Sequence, residues 1–130
     1  MYAKAAAQRY QQVGLQSEIL TASPHRLIQL LLEGALARIN QARGAMQAQR
    51  YQIKGERIAK TLDIIAGLRS ALNFEAGGEL AQRLDYLYGY SMLKLAEANR
   101  SNDERLLDEV AALLRKVKEG WDGITDQVEE

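Results

Sequence analysis

Cysteine is absent from the 130 residues, which removes disulfides, thiol catalysis and thiolate zinc sites together. Histidine occurs once, at His25, so no metal site with two imidazoles exists within one chain and no second histidine organises a serine nucleophile. The Glu-x-x-His pairs of di-iron bundles are missing too. Seventeen basic residues cancel seventeen acidic ones, leaving no global field that would draw the chain to nucleic acid or an anionic membrane. The longest strongly apolar run, Leu30-Leu31-Leu32, falls far below the roughly 18 residues of a membrane span. Met1 to Ala7 holds Lys4 inside an alanine run and offers no apolar core of a secretory signal. The reading is therefore of a cytoplasmic protein with no cofactor, no metal, no nucleic acid partner and no membrane insertion.

Proline also occurs only once, at Pro24, and Ala, Leu, Gln, Glu, Arg and Lys dominate what remains. That composition favours helices. With 47% hydrophobic residues, 130 residues suffice for one core and one domain. Residues 1–20 carry Tyr2, Tyr10, Val13, Leu15, Ile19 and Leu20 scattered among Ala and Gln, interrupted by Gly14, and read as a mobile arm. Ser23-Pro24 then marks a helix start, the serine accepting from an early N–H and the proline forgoing a donor no helix needs there. In the first helix, to about Gln49, Leu27, Leu31, Ala35, Ile39, Ala42 and Met46 recur at spacings of three and four. Past Gly55, Ile58, Leu62, Ile65, Leu68 and Leu72 repeat the pattern in a second helix, with Ile64 off the stripe.

Asn73 to Gly78 breaks the period, its paired glycines allowing a reversal. A third helix follows, to about Asn99. Ser101 and Glu104, three apart as in a capping box, open a fourth. There Leu106, Leu107, Val110, Leu113, Leu114, Val117 and Trp121 cover one arc. Connections this short force antiparallel neighbours, so the expected fold is an all-α, antiparallel up-down four-helix bundle over residues 21–122, with a frayed end at 123–130.

The third helix is the informative one. At about 100° per residue, Leu80, Leu84, Leu87, Ser91 and Leu95 share one side with Tyr88 at its edge, whereas Tyr86, Tyr90 and Leu93 line nearly the opposite side. A helix apolar on two faces either sits centrally or exposes one face, and the tyrosines alternatively use their hydroxyls at the bundle rim. An exposed face would suit a partner groove, where aromatic anchors carry affinity. Residues 1–20, with Tyr10 and Ile19, would then cover it until a partner arrives. A bundle that self-associates through Tyr86, Tyr90 and Leu93 is the alternative from a different class.

Other features point to no chemistry. Gly77-Gly78-Glu79 precedes a helix without a P-loop pattern, and Arg50, Lys54, Arg57 and Lys60 with Glu56 read as a solvated, mixed-charge face. His25 reads as a surface residue in the first helical turn, whereas histidine phosphotransfer bundles carry their histidine in mid-helix.

Thr21-Ala22-Ser23-Pro24 followed by Leu31-Leu32-Glu33-Gly34-Ala35 resembles the TASP and ML-Y-D-G-A elements of the flagellar secretion chaperones, the FliS family. Phe74-Glu75-Ala76-Gly77-Gly78-Glu79-Leu80-Ala81, then Leu84, Leu87-Tyr88-Gly89-Tyr90 and Ala98-Asn99, is similar to that family's F-E-x-G-G-E-[IL]-A, L-Y-x-Y and A-N sequence. Asn102-Asp103 to Leu107-Asp108-Glu109-Val110 and Trp121 fit its last helix. The resemblance spans roughly residues 10–122. Two departures bear on partner choice: Leu32 and Glu33 stand where the family has tyrosine and aspartate, and Ser91 precedes Met92. The resemblance implies a monomeric or weakly dimeric chaperone that uses no ATP and binds the disordered C-terminal segment of flagellin. It also implies that the chaperone prevents premature polymerisation and delivers its cargo to the flagellar export gate. Its cargo would wrap the bundle, partly helical and partly extended. The residues expected to contact it are Ile64, Leu68, Phe74, Tyr86, Tyr90 and Leu93, with Tyr10 competing as part of the cap.

Overall fold

The computed structural model describes residues 22–124, so the arm at 1–20 and most of the expected frayed end fall outside it. Among the described residues four helices follow one another: α1 (Pro24–Gln47), α2 (Tyr51–Ser70), α3 (Phe74–Ser101) and α4 (Glu104–Asp122). Each packs on the next, and α4 closes back onto α1. Connections of two or three residues impose the antiparallel course, and the expected four-helix bundle is the one found.

α1 begins as its sequence dictates, with the Ser23 hydroxyl accepting from the Arg26 N–H at 3.1 Å and Pro24 in the first turn. Its six-residue stripe from Leu27 to Met46 is buried throughout. In α2 the buried arc differs from expectation. Ile64, read as off the stripe, is 0% exposed, whereas Leu62 and Leu72 are only partly buried. α2 packs on both α1 and α3, so its covered arc is wider than a single stripe.

The expected break before the third helix is a kink inside α3. Asn73 caps the first turn by accepting from the Glu75 and Ala76 N–H groups, each at 3.1 Å, and Gly78 then adopts φ 50°, ψ −124°. That left-handed conformation suits glycine. Beyond it the buried line advances alternately by three and four residues through Ala81, Tyr88, Ser91, Leu95 and Ala98, with Leu84 partly buried. Leu80, placed on the buried side from its spacing, is instead 61% exposed: the line shares Leu84, Ser91 and Leu95 with that expectation but takes Ala81 and Tyr88 in place of Leu80 and Leu87.

The capping box expected at Ser101 and Glu104 does not form. Ser101 still belongs to α3, where its hydroxyl donates to the Glu97 carbonyl at 2.7 Å; Asn102 ends that helix at φ 54°, and Asp103 caps α4 by accepting from the Arg105 N–H at 2.9 Å. Leu107, Val110 and Leu114 of α4 are fully buried, with Leu106, Val117 and Trp121 packed against the core and Leu113 at the edge facing α3.

Two polar residues read as solvated are buried. Lys54 is 5% exposed and donates to the Asn99 carbonyl at 2.8 Å and the Asn102 side-chain oxygen at 2.6 Å, tying the start of α2 to the end of α3. A cation there also meets the negative end of the α3 dipole. The His25 ring stacks on Trp121 with centroids 5.0 Å apart, and the indole N–H donates to the His25 carbonyl at 2.9 Å. This pair joins the start of α1 to the end of α4.

Candidate functional site

α3 packs on α2 and α4, which leaves its outer side facing solvent. Tyr86 and Leu93 stand two helical turns apart on that side and are 76% and 72% exposed, with Tyr90 half-buried between them. Such exposure rules out the reading of α3 as a simply central helix. Large apolar side chains gathered on one exposed face are uncommon on a soluble bundle.

A cleft of about 720 Å³ runs along one flank of this face, between α2 and α3, with Leu62, Met92 and Leu93 among its apolar lining. Across it Arg69 of α2 pairs with Asp85 of α3 at 2.6 Å. The hydrogen bond donated by Arg69 holds the Asp85 carboxyl below its ordinary range and raises the guanidinium in turn. Gly89 leaves room for this pair, since a Cβ there would come within 3.2 Å of the Arg69 guanidinium.

On the other flank a cleft of about 400 Å³ lies between α3 and α4, bounded by Arg83, Leu87, Glu109 and Leu113. Tyr86 and Tyr90 line both clefts. The Tyr90 hydroxyl donates to the Glu109 carboxylate of α4, which pushes the phenol pKa up, and the Lys94 ammonium lies 5.3 Å from the Tyr90 ring centroid. Tyr90 therefore does use its hydroxyl at the rim, while Tyr86 remains open.

A third cleft of about 400 Å³ sits at the end of the bundle where α1 begins and α4 finishes, lined by Ile28, Leu72, Leu80, Val117, Trp121 and Ile124. Tyr88 backs it, and burial pushes that phenol up to about 12.

Of the residues expected to contact a partner, the structure brings Tyr86, Tyr90 and Leu93 together. Phe74 is half-exposed but lies beyond the Gly78 kink. Leu68 is buried and lines the end cleft, not the clefts beside Tyr86, and Ile64 has no exposed surface to offer. Tyr10 lies outside the described residues. Sequence reasoning missed Arg69, Asp85 and Glu109, which sit on other helices or read as generic surface charge. It also missed Leu80 at the end cleft, which the helical phase had placed inside. No helix among the described residues is long and apolar enough to cross a membrane.

The fold and this face together define a class: a small four-helix bundle whose third helix, among the described residues, turns Tyr86 and Leu93 to solvent. The family model described as flagellar protein FliS matches residues 6–128. The flagellar secretion chaperone FliSB of Pseudomonas aeruginosa is 56% identical over 125 residues, covering 96% of this chain and 99% of that protein. The flagellar secretion chaperone FliS of Vibrio cholerae is 41% identical over 121 residues, covering 93% and 89%. Its counterpart in Salmonella typhimurium is 37% identical over 126 residues, covering 96% and 93%. The chain belongs to the FliS family of flagellar secretion chaperones. It is a chaperone, and not an enzyme.

Proposed function

We propose that this chaperone binds the disordered C-terminal segment of flagellin in the cytoplasm, keeps it from polymerising prematurely and delivers it to the flagellar export gate. The observation that carries the reading is the open face of α3, where exposed Tyr86 lines clefts on both flanks and exposed Leu93 lines one of them. Similarity to flagellar secretion chaperones supports flagellin as the occupant. A disordered segment that folds on binding buries roughly 1,000–3,000 Å² yet loses several kcal/mol to ordering, so contact is broad and affinity moderate. A carrier that must release its cargo benefits from that balance.

Residues 1–20 cover the α3 face in the free chaperone under this proposal, with Tyr10 as the competing aromatic. Their removal should raise affinity for flagellin and lower solubility; unchanged values of both would discard the cap. The main proposal is tested by mixing the chain with monomeric flagellin at equal molarity and seeding filament growth. Co-elution on gel filtration and suppressed growth are expected. Free growth with no co-elution would reject it, and a concentration-dependent dimer lost on Tyr86→Ala would favour self-association through the same face.

A further inference from the structure

Tyr86 and Tyr90 line both clefts beside α3, so the two side chains are common to them. We treat them as the ridge between the clefts, which a chain crossing the α3 face would straddle with a side chain on either side. The two tyrosines are held differently. Tyr86 projects into solvent, whereas the Tyr90 hydroxyl reaches across to α4 and donates to Glu109. A hydrogen bond to an ionised acceptor is among the stronger kinds. The Lys94 ammonium lies near the same ring, adding a second restraint from within α3.

A tyrosine ring without a partner at its tip exchanges between staggered rotamers. On α3 that movement would tip the ring into one cleft or the other, closing part of the space a bound chain needs. Fixing one rotamer-rich side chain at the moment of binding weakens association by roughly 2- to 12-fold. A side chain already fixed avoids that loss.

We infer that Glu109 is a positioning residue for cargo: by anchoring Tyr90 across the gap between α3 and α4 it keeps the ridge standing and both clefts open, and so sets the affinity for a segment that straddles the ridge. This rests on the reading that the flagellin C-terminal segment docks on the α3 face. Glu109 acts through Tyr90, so its charge is not the feature the cargo reads. An uncharged side chain that still accepts a hydrogen bond should serve in its place.

The test is calorimetric titration of the full chain with a flagellin C-terminal peptide, using Glu109→Gln, Glu109→Leu, Tyr90→Phe and the Tyr90→Phe/Glu109→Leu double variant. Glu109→Leu and Tyr90→Phe should each weaken binding about 3- to 10-fold, and the double variant should bind no more weakly than the worse single one. Glu109→Gln should stay within about twofold of the parent. Parent-like binding by Glu109→Leu would overturn the inference, as would losses that multiply in the double variant, or a Gln variant as weak as the Leu variant. Absence of binding by the unmutated chain is a separate result that overturns the flagellin reading and removes the positioning role with it.

Discussion

Lys54 shows how a single residue can be misjudged from its neighbours in sequence. It sits among Arg50, Arg57 and Lys60, yet it is buried and satisfies the Asn99 carbonyl and the Asn102 side chain at the turn between α3 and α4. Its partners lie more than forty positions away, so no local pattern announces them. Hydrogen bonds to charged groups contribute about 1.5–3 kcal/mol, and Lys54→Met should destabilise the fold by about 2 kcal/mol in urea denaturation. An unchanged midpoint would show that the lysine merely packs there. Ser91 makes the opposite case. It is fully buried in α3 and its hydroxyl has no hydrogen-bond partner among the described residues. Ser91→Ala should therefore leave stability unchanged or raise it by up to about 1 kcal/mol, and a clear loss would reveal a partner for that hydroxyl.

Helix boundaries and phases were legible to different degrees. The start of α1 at Ser23-Pro24 and the kink at Gly78 follow from local chemistry, since both depend on residues whose backbone preferences are narrow. The start of α4 was misplaced because Ser101 and Asp103 are both competent caps, and only the left-handed turn at Asn102 decides between them. Asp103→Ala should cost about 1 kcal/mol of stability and Ser101→Ala within about 0.5 kcal/mol of nothing. The reverse order would restore the capping box. The pair that joins α2 to α3 has a pH signature of known sign. Arg69 lowers the Asp85 pKa in the fold, so the pair stabilises above the ordinary carboxylate range and loses its effect as pH falls through the depressed value. The gap in melting temperature between the parent and Arg69→Met should accordingly be present at neutral pH, begin to shrink as pH falls below the ordinary carboxylate value of about 3.9, and close only below the depressed one. A gap that persists in acid would mean that Arg69 contributes through packing. High salt should narrow the gap at neutral pH too, as both partners are at least partly exposed.

Across the described residues, the number, order and antiparallel course of the helices follow from spacing and connection length alone. The open face of α3 was legible as well, because Tyr86, Tyr90 and Leu93 fall at spacings of four and three away from the buried line. What could not be read is whatever several helices build together. The end cleft draws on all four helices, and the pairing of Tyr90 with Glu109 depends on how α4 is rotated against α3. Ile64 falls off the stripe in sequence yet is buried for the same reason: one helix's period does not reveal how many neighbours will cover it. The central claim is that the α3 face holds a flagellin segment. Its most direct test is calorimetric titration of the full chain with a flagellin C-terminal peptide, repeated with Tyr86→Ala. One-to-one binding with a negative heat-capacity change is predicted, weakened roughly thirtyfold by the substitution while the melting temperature stays the same. Equal affinity in parent and variant, or no heat of binding at all, would contradict the account.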